Sequence, residues 1–256
     1  SMSSTSGTME QSEALKRLKS AAKNEKISAG AVKHIEAWLT EPRYAEYAPL
    51  VAEHLAAERW QDLDDVFWTV IPFGTGGRRG KMYPIGCNAI NDRTIGESAQ
   101  GLADYVLSQH EGSDPPRCGI AYDTPHRSRP CAELCASIMV AAGFKVYFLD
   151  GFRSTPELSL LVREKECTCG IMVTASHNPP SDNAVKAYWS TGGQLLPPHD
   201  KGVIDRVMSV ETINQVDFRE ALAKGAVEYC EEEVDAIYIE NLKQQAFDGP
   251  RDLKVL

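Results

Sequence analysis

Residues 169–173, C-G-I-M-V, run directly into residues 174–180, T-A-S-H-N-P-P. The first segment is short and apolar, which predicts a buried β-strand. The prolines end that strand, because proline lacks a backbone N–H and restricts the residue before it. Ser176 and His177 are therefore expected on a sharp loop at the C-terminal end of a strand. Open α/β sheets usually bind ligands at that edge, so this loop is the candidate site.

Strands and helices alternate on both sides of the loop. Short apolar segments predict strands at residues 67–73, 118–123, 145–149 and 183–189, and apolar periodicity predicts helices at 94–109, 156–164 and a third ending at Ala142. This alternation predicts a three-layer α/β/α domain with a mixed, largely parallel sheet.

The first 66 residues have the composition of helices rather than strands. We predict helices at residues 10–26, at 28–39 with Ser28 as N-cap, and at 44–60. Asp62, Asp64 and Asp65 could suggest a metal site, but acidic residues in the first turn of a helix favour its dipole, and we prefer that interpretation. Residues 1–66 are thus predicted to form a helical N-terminal extension.

The remaining chain divides into three predicted parts. Residues 67–210 form the α/β domain, residues 211–230 a less regular linker, and residues 231–256 the start of a second, similar domain. Leu253 to Leu256 begins a strand that ends at once, and a strand without partners does not complete a domain. We therefore expect the chain to be a truncated form of a longer protein.

Charge and composition restrict the class of partner. The formal net charge of −9 argues against a nucleic-acid or anionic-membrane partner, whose sites need a basic face. A small anionic substrate remains compatible, because a few arginines make a local positive pocket. No signal peptide or membrane-spanning apolar run is present in the sequence, so we predict a cytoplasmic protein. Seven cysteines without paired CxxC spacing predict free thiols rather than disulfides or a zinc site.

Two polar turns are candidates for binding an anion. Residues 74–80, G-T-G-G-R-R-G, combine glycines that let backbone N–H groups approach a phosphate with arginines that bind its oxygens. They match neither standard nucleotide pattern, and a bare glycine-rich hairpin is the alternative. Residues 124–129, T-P-H-R-S-R, join a strand to a helix, where N–H groups favour anions, but they are equally compatible with simple helix capping.

Three segments resemble motifs of the α-D-phosphohexomutase superfamily: residues 73–80, residues 170–180 and the residues around Lys186. They follow one another along the chain in the same order as in that superfamily. The helical N-terminus, with residues 182–189 and 198–202, is most similar to its phosphoglucomutase and phosphopentomutase branch. The resemblance covers roughly Ile35 to the end of the chain. It implies a four-domain enzyme of which this chain holds the first domain and the entry to the second. Arg78 departs from the family pattern, which has an apolar residue there.

The resemblance implies a phosphoryl-transfer mechanism at Ser176. This serine would be phosphorylated and would pass its phosphoryl group to a hexose phosphate, which forms a sugar 1,6-bisphosphate. The bisphosphate would then return its other phosphoryl group to the serine. The same bisphosphate would also be the activator of the enzyme. The family holds Mg²⁺ on the phosphoserine oxygen with three aspartates of a DGDxDR loop. This sequence lacks that loop, and residues 248–252, D-G-P-R-D, do not have its spacing. Ser176, through its phosphate, is thus the only expected metal contact, and we expect the chain alone to be inactive.

Further site residues follow from the same resemblance. Lys186 aligns with a proposed general acid/base, and Arg79 with an arginine close to the phosphoserine. His177 would orient the serine or touch the substrate, with a loop-stabilising hydrogen bond as the alternative. The remaining residues implied to bind phosphate or support the loop are Thr75, Gly77, Asn178, Ser128 and Arg129.

Three alternatives to a hexose phosphate mutase were considered. A phosphopentomutase acting on ribose or deoxyribose phosphates would differ only in its sugar. A non-catalytic domain that binds a phosphorylated ligand would carry no covalent phosphate on Ser176. A serine hydrolase would need a Gly-x-Ser-x-Gly elbow, which residues 175–177 do not supply. The predicted partner is a small phosphosugar, and the sequence does not indicate an oligomeric state.

Overall fold

A computed structural model describes residues 2–175 and 179–248 of the chain. Within them, one sheet contains the strands β1 (Arg78–Lys81), β2 (Arg117–Tyr122), β3 (Lys145–Phe148), β4 (Cys169–Thr174), β5 (Asp182–Trp189) and β6 (Val227–Tyr229), in the order β1-β5-β4-β2-β3-β6. Strands β4, β2, β3 and β6 are parallel to one another, whereas β5 runs antiparallel to both β4 and β1. The predicted mixed, largely parallel sheet is confirmed.

Helices cover both faces of this sheet. The described helices are α1 (Met2–Lys23), α2 (Ala29–Thr40), α3 (Ala48–Ala56), α4 (Trp60–Phe67), α5 (Asp92–Gln109), α6 (Arg129–Ala141), α7 (Thr155–Glu164), α8 (His199–Met208), α9 (Phe218–Ala223) and α10 (Glu231–Asp248). On one face, buried residues of α5, α6 and α8 pack against Ile171 and Val173 of β4. On the other face, Leu158 and Leu161 of α7 pack with Met172. Because β-strand side chains alternate between faces, β4 serves both cores, and the α/β/α layering is confirmed.

The N-terminal helices form a core of their own. Trp38, Leu55, Leu63 and Phe67, from α2, α3 and α4, are buried together. Ser28 caps α2 as predicted, because its hydroxyl accepts a hydrogen bond from the N–H of Ala31 at 3.2 Å. The long third helix predicted at 44–60 is wrong. The chain instead forms a short 3₁₀ turn at Pro42–Tyr44 and then α3 and α4, with proline in the first turn of α3 and a positive φ of 56° at Glu58 before α4.

The strand predicted at residues 67–73 is also wrong. Phe67 is the last residue of α4, where Leu63, Val66 and Phe67 share one buried side at helical spacing. Ile71 and Phe73 are buried in the sheet core, but residues 70–73 are not part of a strand. Their apolar pattern therefore reflects burial of single side chains rather than the pairing of a strand.

Residues 211–230, predicted as a linker, contribute to the sheet. They contain α9 and β6, and β6 pairs in parallel with β3, with Phe148 opposite Tyr229. The next helix, α10, is held by Arg153, which lies two residues before α7: its guanidinium donates to both carboxylate oxygens of Asp235 at 2.8 Å and lies 3.6 Å from the carboxylate of Glu157 in α7. The proposed division into domains stays a prediction. The strand predicted at Leu253 to Leu256 and most of the 248–252 segment lie outside the described residues.

The cysteines and the apolar helices bear on two predictions drawn from composition. All seven cysteines are buried free thiols, as predicted. Burial raises the pKa of the Cys87 thiol to about 12, and it raises the pKa of Cys131 to the same value, so both are protonated at neutral pH. Across residues 2–175 and 179–248, no helix combines the length and apolar character needed to cross a membrane.

Candidate active site

The candidate site lies at the C-terminal end of β4. The strand ends at Thr174, Ala175 follows it, and the described chain resumes at Pro179 just before β5. Ser176, His177 and Asn178 lie outside the described residues, so their roles stay predictions. The residues on either side nevertheless fix where this loop leaves and rejoins the sheet.

Residues of three neighbouring strands pair with one another across the sheet at the end of β4. Thr174 of β4 lies opposite Ala184 of β5, and Ala184 lies opposite Arg79 of β1. Directly opposed residues point to the same face of a sheet. Because neighbouring strands are about 4.8 Å apart, the Cα of Arg79 lies about 10 Å from that of Thr174, across a small alanine. Arg79 therefore shares a sheet face with the strand end that leads into Ser176.

Lys186 occupies the neighbouring level of the same face. It lies two residues beyond Ala184 on β5 and opposite Met172 of β4. Side chains two residues apart on a strand point to the same side, so Lys186 and Arg79 share this face. Both side chains are exposed. The structure thus brings together two predicted site residues that are 107 positions apart in the sequence.

The glycine-rich segment forms a tight hairpin turn before β1. The N–H of Gly74 donates to the carbonyl of Gly77 at 2.9 Å, and the N–H of Gly77 donates back to Gly74 at 3.0 Å. Thr75 lies exposed at the tip of this turn. The hairpin that the sequence analysis kept as an alternative is therefore present, and it uses the N–H groups of both glycines. Phosphate binding by Thr75 and Gly77 stays a prediction.

Arg78 and Arg79 have opposite environments although they are adjacent. Arg78 is 2% exposed, and its Nη1 donates to Glu97 Oε1 at 2.8 Å and to the carbonyl of Thr94 at 3.1 Å. Its Nε is buried without a hydrogen-bond partner among the residues described. Arg78 therefore occupies an inward position, which agrees with the apolar residue that the family pattern has there. Only Arg79 is directed to the exposed face.

Asp123 is a site residue that the sequence analysis missed. It follows the last residue of β2, which neighbours β4 in the sheet. Its Oδ1 accepts a hydrogen bond from the N–H of Ala175 at 2.9 Å, and its Oδ2 accepts one from the hydroxyl of Thr174. The signal in the sequence was an acidic residue at the end of a predicted parallel strand. Asp123 thus holds the N-terminal end of the Ser176 loop.

Ser128 and Arg129 lie at the start of α6. Ser128 is fully buried, and its hydroxyl lies 2.7 Å from that of Thr124 within the same turn. Arg129 donates to the Tyr122 hydroxyl at 2.5 Å and also to the carboxylate of Asp150. Partial burial is the largest single effect and lowers the pKa of Arg129, but the hydrogen bonds to Asp150 and Tyr122 and the charge interactions with both residues together raise the pKa of the guanidinium. These contacts are on the β2 and β3 side of the sheet, so the structure does not bring Arg129 to Arg79 and Lys186.

Three cationic side chains lie at this edge, those of Arg79 and Lys186 exposed and that of Arg127 half-buried. Arg79, Lys186 and Arg127 form no ion pair with any carboxylate in the part of the chain that is described. The protein as a whole has a net charge of −9. Unneutralised cations in an acidic protein create a local positive potential that attracts small anions.

The described residues supply no ligand set for a divalent metal. No three histidine, cysteine, aspartate or glutamate side chains cluster within residues 10–175 and 179–247. Asp62 and Asp65, weighed above as metal ligands, bind Arg59 and Gln61 instead, and Asp64 accepts from the N–H of Ser28 at 2.8 Å. The Mg²⁺ expected from the family resemblance is therefore not matched by side chains of this part of the chain.

The layered sheet, with the candidate site at the end of β4, matches a known family of α/β/α domains. Residues 71–214 match the model of the family described as phosphoglucomutase/phosphomannomutase, alpha/beta/alpha domain I. The chain belongs to this family.

Curated relatives carry several mutase names. The chain is 31% identical over 231 residues to the phosphoribomutase of Saccharomyces cerevisiae, which covers 86% of this chain and 37% of that protein. It is 32% identical to a Staphylococcus saprophyticus phosphoglucomutase, covering 76% of this chain and 35% of that protein. It is 33% identical to the human phosphopentomutase, covering 65% and 28% respectively. The chain thus spans about a third of the length of these relatives.

Solved structures show the same fold. A putative phosphomannomutase from Thermus thermophilus superposes with a TM-score of 0.57 at 27% identity, covering 69% of this chain and 36% of that one. A phosphoglucomutase/phosphomannomutase family protein from Burkholderia thailandensis gives a TM-score of 0.50 at 20% identity, covering 66% and 34%. The second match supports the fold alone.

Proposed function

We propose that the protein is a phosphosugar mutase that moves a phosphoryl group between positions 1 and 6 of a hexose phosphate, with Ser176 as the phosphoryl carrier. The observation that carries this proposal is the pair of exposed cations, Arg79 and Lys186, on one sheet face beside the strand end that leads into Ser176. Family membership supports the reaction class.

The proposed step transfers one phosphoryl group at a time. A sugar hydroxyl oxygen attacks the phosphorus of phosphoserine and its proton passes to a base, while the bond from phosphorus to Ser176 Oγ breaks and Oγ takes up a proton to restore the serine hydroxyl. The bisphosphate then turns, and Ser176 Oγ accepts its other phosphoryl group in the reverse reaction. Phosphoryl transfer depends chiefly on positioning and on neutralisation of charge, which is why nearby cations matter.

Each site residue has a proposed part in this step. Arg79 neutralises the oxygens of the phosphoryl group, since guanidinium binds phosphate strongly. Lys186 exchanges the hydroxyl proton as the general acid/base. His177 orients Ser176 or contacts the sugar. The turn residues proposed to support phosphate or the loop remain Thr75, Gly77, Asn178, Ser128 and Arg129.

The cofactors and location of the enzyme are also proposals. Mg²⁺ would neutralise charge on the phosphoserine when bound, but the described residues offer it no set of ligands, so no step here depends on it. A sugar 1,6-bisphosphate serves as intermediate and activator. We propose a cytoplasmic enzyme with a small phosphosugar as partner and without a nucleic-acid or membrane partner. Inactivity of the 256-residue chain alone stays a prediction.

A pentose phosphate is the second candidate substrate. The relatives include proteins named phosphoribomutase and phosphopentomutase as well as phosphoglucomutase, at similar identities of 31 to 33%. The exchange would then be between positions 1 and 5 of ribose or deoxyribose phosphate. The same serine and the same two cations would serve either sugar.

The test is covalent phosphate on Ser176. The protein at its full natural length is incubated with glucose 1,6-bisphosphate, and its intact mass and phosphopeptides are measured alongside mutase turnover. We expect one phosphate on Ser176 and loss of turnover in Ser176→Ala. Ser181→Ala is the matched control, because this exposed serine is five residues away and its hydroxyl bonds only to Asp182 among the described residues. Absence of phosphate together with activity of Ser176→Ala would refute the proposal. Ligand binding without phosphate would instead favour the non-catalytic domain.

A further inference from the structure

Arg127 lies in the turn between β2 and α6, and its side chain reaches the residues that follow the Ser176 loop. Its Nη2 donates to the carbonyl of Pro179 at 3.4 Å and also to the carbonyl of Asp182, the first residue of β5. These two residues close a turn of their own, since the N–H of Asp182 donates to the Pro179 carbonyl at 2.9 Å. The guanidinium therefore holds the chain where the loop returns to the sheet.

The same turn holds the other end of the loop. Asp123 accepts from Thr174 and Ala175 on the β4 side, and Arg127, four residues later, donates on the β5 side. The residues on either side of the Ser176 loop, Thr174 and Ala175 before it and Asp182 after it, are thus held by two anchoring side chains of one short segment. A displacement of this segment would move both ends of the loop together.

The segment that carries the anchors is itself fixed. The buried side chain of Asn183 donates from Nδ2 to the carbonyl of Arg127 at 2.9 Å. The N–H of Ser128 donates to the carbonyl of Thr124 at 3.2 Å, and their hydroxyls are hydrogen-bonded. Backbone and side chain of Arg127 therefore both take part in the connection between the turn and β5.

We propose that Arg127 is a positioning residue that sets the geometry of the Ser176 loop, a role that rests on the proposed phosphoryl transfer. Arginine suits it because the planar guanidinium keeps its donors in a fixed fork, whereas lysine presents a flexible point charge. The charge of Arg127 has no carboxylate partner among the described residues, and its Nε is buried without an acceptor there. It thus adds positive charge at the same edge as Arg79 and Lys186.

The first experiment measures the loop itself rather than activity. Hydrogen exchange of the full-length protein is followed by mass spectrometry in Arg127→Met and Arg127→Lys. Arg117→Met is the control, since Arg117 also donates to a backbone carbonyl, that of Lys165 at 2.9 Å, but from the opposite end of β2. We expect faster exchange in peptides covering residues 175–183 in Arg127→Met and unchanged exchange at residues 145–148. The lysine variant is expected to be intermediate, and the control unchanged in both peptides.

The second experiment measures transfer. With saturating glucose 1,6-bisphosphate, we expect phosphorylation of Ser176 and kcat to fall about 10- to 100-fold in Arg127→Met, because small misplacements of reacting groups cost that much. KM for the sugar phosphate is expected to change less than about threefold, because the variant alters the position of the serine rather than sugar binding. Loss of folded protein would also lower the apparent kcat at unchanged KM, so turnover is expressed per mole of folded enzyme, determined by circular dichroism on the same samples. Arg127→Lys should recover part of kcat.

The outcomes separate this proposal from the proposed function. If the unchanged protein carries no phosphate on Ser176, the proposed function fails and the exchange data alone judge whether Arg127 holds the loop. If phosphorylation is normal in the parent and Arg127→Met keeps kcat within about twofold, the positioning role is overturned. Faster exchange throughout the sheet, including residues 145–148, would also overturn it, because Arg127 would then stabilise the fold as a whole.

Discussion

Asp123, which directly follows β2, and Thr174, the last residue of the neighbouring parallel strand β4, are joined by a hydrogen bond from the threonine hydroxyl to the aspartate carboxylate. The second carboxylate oxygen accepts from the N–H of Ala175 at 2.9 Å. A single side chain thereby fixes both the last residue of β4 and the first residue of the loop that holds Ser176.

Asp123→Ala is expected to lower the free energy of unfolding by about 1–3 kcal/mol, because it leaves the buried hydroxyl and N–H without their acceptor. Urea denaturation of Asp123→Ala and Asp123→Asn measures this, with asparagine expected to retain part of the stability. Asp205→Ala, which removes an exposed pair with Lys201, is the control and should change little. Equal stability of Asp123→Ala and the parent would contradict the role.

The two adjacent arginines provide a paired prediction. Arg78→Gln should destabilise the protein by about 3 kcal/mol, because it leaves the partly buried Glu97 with fewer partners. Arg79→Gln should leave stability within about 0.5 kcal/mol, because its side chain is exposed. Phosphorylation of Ser176 should nevertheless fall about 100-fold in Arg79→Gln, as for loss of a donor to a developing charge. Thermal unfolding and the rate of Ser176 phosphorylation are measured for both variants. A stable Arg78→Gln together with a destabilised Arg79→Gln that is phosphorylated normally would exclude the structural role of Arg78 and the phosphate-binding role of Arg79.

Gly77 is expected to tolerate no side chain. Its φ is +117°, and a Cβ atom there would lie 2.0 Å from the carbonyl oxygen of Val185. Gly77→Ala should therefore cost about 1–3 kcal/mol of stability and displace β1. Gly76→Ala is the matched control in the same turn, because nothing lies within 4 Å of its Cβ position. If Gly77→Ala and Gly76→Ala have the same denaturation midpoint, the turn accommodates a side chain at position 77 and the prediction is wrong.

The contact between α7 and α10 predicts a pH dependence of stability. Burial, with a hydrogen bond to Asp235 and the charge of that residue, raises the pKa of Glu157 to about 7 against the opposing effect of Arg153. The folded protein therefore holds a proton that the unfolded chain releases between about pH 4.3 and 7. Stability should accordingly decrease as the pH rises through this interval.

Asp235 contributes in a different interval. Its pKa is lowered, first by the hydrogen bond from Arg153, so its contribution is lost only as the pH falls below about 4. Unfolding free energies measured from about pH 4.5 to 8 should thus decline in the parent and stay level in Glu157→Gln. An equal decline in both would assign the effect to another group.

Substrate preference is decided by kinetics of the protein at its full natural length. We expect a higher kcat/KM for glucose 1-phosphate than for ribose 1-phosphate, each assayed with its own bisphosphate. Dominance of the pentose would replace the first proposed substrate with the second. Ser176→Ala should abolish turnover of both sugars, since the same carrier would serve each of them.

The part of the fold that the sequence predicted well is the part built from local patterns. Residues 169–173 are continuously apolar and became β4, buried on both faces. The apolar residues at 67–73 misled the prediction, because Phe67 completes the buried side of a helix and Ile71 and Phe73 are buried singly. Apolar pattern alone does not separate these cases in a short segment.

The anchors of the loop could not be predicted from the sequence because their partners are distant along the chain. Asp123 contacts Ala175 across 52 positions, and Arg127 contacts Asp182 across 55. Only the strand order, with β4 between β2 and β5, brings them together. Arg79 and Lys186 were named because of a family resemblance, and spacing alone would not have placed them on one face.

The hairpin before β1 has a consequence for strand register. In the observed pairing, Arg78 lies opposite Val185 and Arg79 opposite Ala184, and glycines flank this pair at positions 77 and 80. A slip of one residue in one direction would put Gly80 opposite Ala184, and a slip in the other would put Gly77 opposite Val185. Either slip would exchange the faces of the two arginines, so that Arg79 would point into the core and Arg78 to the open face. The observed alignment is therefore the one that gives Arg78 to the core, where Glu97 pairs with it, and leaves Arg79 on the open face.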